Sequence, residues 1–406
     1  MTREEKLQRN PKILFWGRAL TELKTINGLA TLFYLHRGIS LEQVFYLGIV
    51  WSVTTLLFEI PSGYLADRFG RKKTLILGTL FLMASVATNF LANGFWAFAG
   101  VMTLLSAASS CFSGTEEAVL YDSLIETGRE KEMTAFNGRL HSARHVFKIF
   151  LPTIGVLIAS QLTEGQFKIL ISLDLLAAVA AFIVLAFLTE PRHLSSVAQR
   201  EIGILKESFT TLKNHPFLFR AALNKIIIFV MGFLIFRAYQ PFLVEKGLPV
   251  IYLGLYYFII HAIIFILHWK IGVIEKKIGA AKILTWSVVI SMPLLFLLTS
   301  IENPFILFVM ILLVTLLETG REPVFAEAMN TRIKSGSRAT TLSNLNFIKG
   351  VVDIPLLFLT GWLTHYQTEN VFYVCLALCL IVLIFFHVRE KDLATVPILR
   401  EEYLPE

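Results

Sequence analysis

The stretch that decides the fold is a short charged turn, Gly63-Tyr64-Leu65-Ala66-Asp67-Arg68-Phe69-Gly70-Arg71-Lys72-Lys73-Thr74-Leu75. It lies between two apolar runs, residues 41–62 and 74–91. Each run has about 20 residues, the length at which an α-helix crosses the hydrocarbon core of a bilayer. The pattern therefore predicts a tight loop between two membrane helices, with its basic cluster on the cytoplasmic side.

The composition also places the chain in a membrane. Hydrophobic residues make up 55% of the chain and charged residues only 17%, whereas soluble proteins carry about 25% charged residues. The net charge of +7 comes largely from basic residues in short loops, which indicates membrane orientation and not a nucleic-acid partner. The sequence contains no phosphate-binding loop of the ATPase type. We therefore expect no enzyme activity, no cofactor and no resident metal.

Apolar runs of this length recur and predict about twelve transmembrane helices. We expect an N-terminal six-helix bundle over residues 1–189, a cytoplasmic linker over 190–216 and a C-terminal six-helix bundle over 217–406. The predicted spans are 12–35, 41–63, 73–92, 96–122, 138–161, 167–189, 218–243, 249–272, 281–300, 303–325, 340–363 and 370–388.

The charge distribution predicts the orientation of these helices. The predicted outer loops hold only three basic residues, Arg37, Lys168 and Lys246, and the inner segments hold many more. Both termini should therefore be cytoplasmic, in a multi-pass protein of the cell (inner) membrane. Short motifs also recur in the two halves at nearly one spacing, which favours a parallel repeat. The pairs are Tyr46-Leu47-Gly48 with Tyr252-Leu253-Gly254, Gly114 and Glu116 with Gly320 and Glu322, and Arg37-Gly38 with Lys246-Gly247.

The charged turn resembles the signature loop of the major facilitator superfamily, between its second and third helices. The matching positions are Gly63, Asp67, Arg68, Gly70, Arg71 and Lys72. The resemblance implies an all-α membrane protein of two pseudo-symmetric six-helix bundles that acts as a secondary transporter. It also implies that Asp122 pairs with Arg71, and that Asp67 sits against a helix N-terminus in the second half. Together these positions would form a latch that closes the inner side.

Ionisable side chains within the first two spans are candidate site residues, because such groups are costly in hydrocarbon and should face a cavity or one another. Arg18 and Glu22 share one helix face, and Lys24 follows them. Glu22, near mid-span, is either a proton or substrate site or half of a structural ion pair. Glu59 in the second span is interpreted as a gate-side salt bridge. The sequence suggests no role for Asp174 in the sixth span.

Four possible cations share one face of the fifth span at helical spacing, and they are His141, Arg144, His145 and Lys148. They could bind an anionic group of a solute, or they could pair with Glu116 and Glu117 of the fourth span. A metal clamp formed by the two histidines is disfavoured, because the neighbouring basic side chains repel a cation.

The second half of the chain also has ionisable side chains within its predicted spans. His261 and Asp353 lie near mid-depth, and we expect Asp353 to share a face with Asn346 and Lys349. The remaining candidates are a self-neutralised cluster in the tenth span, Glu318, Arg321 and Glu322, and two polar positions in the seventh, Lys225 and Arg237.

These residues predict a proton-coupled secondary transporter that moves a small organic solute by alternating access, as a monomer in lipid. Solute would bind between the halves, with the proton gradient as the driving force. Uptake and efflux both stay open, although the fourth span lacks the arginine of the superfamily's drug exporters. The alternative is a non-transporting sensor on the same scaffold. The proposed substrate and proton site comprises Glu22, Lys24, Arg144, Lys148, His261 and Asp353.

Overall fold

The computed structural model describes residues 1–144, 146–192, 216–325 and 335–390; the side chains of residues 60, 134, 216–218 and 335–347 are outside this description. The described residues form helices and contain no strand, which confirms the predicted all-α membrane fold. Helices α1 to α10 are Arg3–Leu7, Asn10–Thr21, Ala30–His36, Leu41–Phe69, Arg71–Thr88, Gly94–Phe112, Thr115–Glu126, Met133–Ala143, Leu151–Ile158 and Glu164–Ala186. Helices α11 to α16 are Pro216–Glu245, Ile251–Ile278, Ala280–Leu297, Pro304–Gly320, Ser335–Thr364 and Asn370–Phe385.

The helices fall into two compact units. The first contains α1 to α10 together with Pro249–Phe258 at the start of α12, and the second contains α11, the rest of α12, and α13 to α16. The predicted linker lies mainly outside the described residues, so its boundaries stay predictions. Over the described residues, seven helices are long and apolar enough to cross a bilayer. They are Leu41–Phe69, Gly94–Glu126, Glu164–Ala186, Phe219–Glu245, Ile251–Ile278, Ala280–Leu297 and Pro304–Phe325.

Three predicted spans are not continuous α-helices. The first is interrupted between α2 and α3 by the short 3₁₀ turn Thr25–Leu29. The fourth bends at Gly114, whose φ of +69° is a left-handed conformation that favours glycine. The fifth ends at Ala143 and resumes at Leu151. All three interruptions lie in the first unit.

The interruption in the first span packs against α9 through two glycines. A Cβ atom on Gly155 would lie 2.1 Å from the carbonyl oxygen of Thr25, and one on Gly28 would lie 2.5 Å from that of Pro152. Both neighbours are backbone atoms, so neither can rotate away. Only hydrogen at these positions lets the 3₁₀ turn approach α9 so closely.

Gly155→Ala is therefore expected to destabilise the protein by about 1–3 kcal/mol, the usual cost of overpacking. Gly100→Ala is the matched control, because a Cβ there meets no atom within 4 Å and alanine favours the helix. Thermal unfolding in detergent should show a lower midpoint for Gly155→Ala only. Equal midpoints for the two variants would show that the close approach is not required.

The two units contain equivalent features, which support the predicted repeat. Arg37 donates to Glu164 at 3.0 and 2.8 Å, at the start of α10. In the second unit, Lys246 pairs with Glu369, the N-cap of α16, at 3.0 Å and also with Glu302. Hydrogen bonds to Glu302 and Glu369 raise the pKa of the Lys246 ammonium. In each half, a basic residue therefore pairs with a glutamate at the start of a helix.

Candidate functional site

An ion network in the first unit is centred on Glu22, the residue that caps the C-terminus of α2. One oxygen of Glu22 lies 3.1 Å from Nη2 of Arg18, and the other lies 3.2 Å from Nζ of Lys148. Arg18 also reaches Glu116 at 3.1 Å through Nη1. The arrangement is therefore a chain of four alternating charges, Lys148, Glu22, Arg18 and Glu116, which we call the Glu22 network.

The side chains of the Glu22 network are buried or half-buried. In the described part of the chain, some of their hydrogen-bonding atoms have no partner. Glu116 is only 3% exposed. Within the described part of the chain, Nε of Arg18, Oε1 of Glu116 and Nε of the nearby Arg144 are buried without a hydrogen-bond partner. Buried polar atoms of this kind are costly unless another molecule satisfies them. The network therefore has unused capacity for water or for a polar solute.

The fifth span does not present the four cations on one helical face, because the helix is interrupted between Ala143 and Leu151. That prediction is wrong in its geometry, although two of the residues still reach carboxylates. Lys148 contacts Glu22, and His141 lies 3.5 Å from Glu117. His145 lies outside the described residues. Among described side chains, no group of three or more histidine, cysteine or acidic residues could hold a metal.

Lys24 and Asp174 line one cavity in the first unit. The carboxylate of Asp174 accepts hydrogen bonds from the backbone N–H of Thr25 at 2.6 Å and from its hydroxyl at 2.7 Å. A more distant contact of 3.5 Å comes from the N–H of Ile26. Asp174 therefore stabilises the 3₁₀ turn that interrupts the first span, which explains an acidic residue in the middle of α10.

A second set of charges lies in the second unit. Lys349 is 3.7 Å from Asp353, one helical turn further along α15, and its ammonium lies 4.3 Å from the ring centre of Phe229. The guanidinium of Arg237 lies 3.8 Å from the ring centre of Phe233. These contacts combine cations with aromatic faces. The set would favour an anionic or aromatic group on a solute.

The self-neutralised cluster expected in the tenth span is present only as an attraction between Glu318 and Arg321 without direct contact. Arg321 follows α14 directly and has a helical conformation. Among the described residues, Arg321 makes no ion pair; Nη2 donates to Asn224 of α11, and the guanidinium stacks 4.9 Å from Phe325. Glu322 is exposed and Glu318 is half-buried.

For the other predicted site residues, the structure gives a position and a degree of burial, but it does not indicate a role. Lys225 and His261 are half-buried on α11 and α12, and Glu59 is half-buried on α4. Over the described chain, Glu59 makes no ion pair, so the interpretation as a gate-side salt bridge finds no support. The side chain of Asn346 lies outside the described residues.

The charged turn contains the contact that the resemblance implies. Arg71, at the start of α5, pairs with Asp122 of α7 and also donates to the carbonyl oxygen of Ala118 at 2.7 Å. Arg71 and Asp122 are 6% and 2% exposed. Gly70 has a φ of +101°, which lets the chain turn between α4 and α5. The contact is confirmed, whereas its function as a latch stays a prediction.

A family model, the Major Facilitator Superfamily, matches residues 19–352. The chain belongs to this superfamily. It is 26% identical over 234 residues to the uncharacterized MFS-type transporter YxaM of Bacillus subtilis (strain 168), an alignment that covers 53% of this chain and 54% of that protein. The chain thus spans about half the length of this curated relative.

Solved transporter structures share the superfamily fold over nearly the whole chain. An inward-facing bacterial homologue of the human lysosomal transporter Spinster has a TM-score of 0.71 and 14% identity, over 94% of this chain and 95% of that one. A D-xylose–proton symporter has a TM-score of 0.68 and 13% identity, over 96% and 98%. At these identities the likeness shows the fold alone.

Sequence reasoning missed one residue that binds the charged turn from a distant part of the chain. Both carboxylate oxygens of Glu190 accept backbone hydrogen bonds at 2.8 Å, from the N–H groups of Arg71 and Lys72. Glu190 therefore caps the N-terminus of α5, where a negative charge is favourable. The acidic residue just after the sixth span was the available signal, but its partner is 119 positions away in sequence.

Proposed function

We propose that this member of the superfamily is a secondary active transporter that couples a small organic solute to protons by alternating access. The solute would carry an anionic group. The protein would lie in the cell (inner) membrane with both termini cytoplasmic, and it would act as a monomer. Family membership supports transport. The proposals of proton coupling and of an anionic solute depend on the Glu22 network.

We propose that protonation acts through the ion pairs of Glu22, whose two cations favour the ionised carboxylate, so that a proton binds only as these pairs separate. While Glu22 is ionised, it holds Lys148 at 3.2 Å and Arg18 at 3.1 Å. A proton on Glu22 would remove the charge that holds Lys148, and an anionic group of the solute could then pair with that ammonium. Proton binding and solute binding would therefore favour each other, which is the linkage that symport requires.

The side chain of Lys148 is 35% exposed, whereas that of Glu116 is 4% exposed. Lys148 is thus the member of the network that a solute can reach, and Glu116 is the member that fixes Arg18. Arg144 would add positive charge beside them. In the second unit, Lys349, Asp353, Arg237 and His261 would form a separate candidate set of polar groups for a solute.

The proposal is tested in two steps. A metabolite and drug library is screened for compounds that raise the thermal stability of the purified protein, since a ligand of the folded state stabilises it. The hits are then measured for flux in proteoliposomes, with and without an imposed pH gradient. Gradient-dependent flux of an anionic compound is the expected result. Binding without flux for every hit would favour the sensor.

Asp67→Asn tests the latch. We expect slower transport with little change in the equilibrium affinity for solute, because Asp67 lies in the charged turn at the end of α4 and outside the Glu22 network. Exchange rates and binding isotherms on the same preparation separate the two effects. A large loss of affinity would contradict the latch role, and Glu4→Gln, on the exposed N-terminal helix, serves as the control for loss of a carboxylate.

A further inference from the structure

A mainly apolar cavity with several polar groups in its wall lies inside the first unit, beside the Glu22 network. Its volume is about 80 Å³, and its lining comes from the interrupted first span, α5, α6 and α10. One buried water needs about 10–15 Å³ of such space, so several waters fit. Apolar side chains such as Leu82 and Leu105 contribute to the wall, together with Lys24, Asn89 and Asp174.

Two of the polar groups in the lining are poorly paired by the part of the chain that the structure describes. Oδ1 of Asn89 is buried without a hydrogen bond. In the described parts of the chain, no carboxylate lies within 4.0 Å of the Lys24 ammonium. The carboxylates that act on Lys24 from further away are Glu22 and Asp174. An ammonium and an amide oxygen in an interior are costly unless they are hydrated, so the cavity suits water.

Asp174 has one oxygen with spare capacity. Oδ1 accepts the two short hydrogen bonds from Thr25 that hold the 3₁₀ turn. Within the described chain, Oδ2 has only the 3.5 Å contact with the N–H of Ile26. A carboxylate offers about four acceptor positions. A proton can therefore bind at Oδ2 while Oδ1 continues to hold the turn.

We propose that this cavity is a proton-binding site, in which water joins Oδ2 of Asp174 to the Lys24 ammonium. Lys24 is the charged group that faces Asp174 from the first span, where Tyr34 also lines the cavity. Helix α5 contributes Ser85 and Asn89, and α6 contributes apolar side chains. The proton comes from bulk water and needs no co-reactant.

The site is connected to the Glu22 network through Lys24. While Asp174 is ionised, the Lys24 ammonium is attracted by both Asp174 and Glu22. After Asp174 takes up a proton, Glu22 is the remaining anion near Lys24. Lys24 then competes with Lys148 for Glu22, which releases Lys148 for an anionic solute. This role in the cycle rests on the proposed proton coupling, whereas proton binding by Asp174 does not.

The test is an infrared pH titration of the full chain reconstituted in lipid, without any solute. Acidification should produce the carbonyl-stretch band of a protonated carboxyl group. Asp174→Asn should lose this band. Glu59→Gln, which removes a half-buried carboxyl of α4 in the same unit, should keep it. Coincident titrations of the wild-type protein and Asp174→Asn would overturn the inference.

A second variant covers the case in which Asp174→Asn fails to fold. Lys24→Met removes the neighbouring positive charge and leaves the bonds between Asp174 and Thr25 in place. The band should then appear at a higher pH than in the wild-type protein, because the carboxylate has lost a favourable cation. An unchanged midpoint would overturn the link to Lys24. A transporter that couples to protons but lacks an Asp174 band would refute this inference and leave the proposed function standing.

Discussion

Glu22→Gln is expected to abolish solute accumulation driven by a pH gradient, and to leave exchange of solute across the membrane measurable. Glutamine keeps the shape of the side chain but cannot gain or lose a proton in the pH range of transport. The neutral amide would also hold Lys148 less strongly than the carboxylate that now lies 3.2 Å away. Lys148 would therefore stay available to solute at every pH, and the link between proton and solute would be lost.

Glu117→Gln is the matched control for this variant. Glu117 follows Glu116, the buried end of the Glu22 network. Glu117 itself is half-buried, and its carboxylate lies 3.5 Å from His141. Accumulation should stay dependent on the pH gradient in this control. Glu22→Gln protein that accumulates solute with the wild-type pH dependence would remove Glu22 as the proton carrier.

Arg18→Met is expected to lower the stability of the folded protein by about 3–5 kcal/mol, the cost of leaving a buried charge without its partner. Arg18 bridges Glu22 and Glu116, and the Glu116 side chain is only 4% exposed. Without Arg18, the contact at 3.1 Å to Glu116 is lost and that carboxylate stays buried. Methionine fills a similar volume, so the loss of stability would come mainly from the missing charge and less from altered packing.

The double variant Arg18→Met, Glu116→Gln should recover most of the stability, because it removes the uncompensated carboxylate as well. Lys12→Met is the control on the same helix, since Lys12 is exposed and its replacement should leave the unfolding midpoint nearly unchanged. Thermal unfolding of the wild-type protein, Arg18→Met, Glu116→Gln and the double variant in one detergent completes the cycle, with Lys12→Met measured beside them. A double variant as unstable as Arg18→Met would show that Glu116 is not the group that Arg18 stabilises.

The features that could be predicted from the sequence are those that depend on local pattern. The charged turn placed the loop between α4 and α5, because glycines and charges at fixed spacing define that turn. Its resemblance to the signature loop of the superfamily implied the contact of Arg71 with Asp122. The recurrence of Arg37-Gly38 as Lys246-Gly247 also indicated the repeat.

The features that were missed depend on contacts between distant parts of the chain. The face predicted for His141 to Lys148 assumed an unbroken helix, and periodicity alone does not show where a helix is interrupted. The interruption of the first span is held by Asp174 and by the close approach of Gly155. Both residues lie more than one hundred positions away from the turn that they contact.

The most direct measurement of the central claim is the internal pH of proteoliposomes when a transported solute is added outside. The account predicts that wild-type protein acidifies the lumen as solute enters, and that Glu22→Gln protein admits solute with no change in internal pH. Entry of solute through the wild-type protein without any proton movement would contradict it.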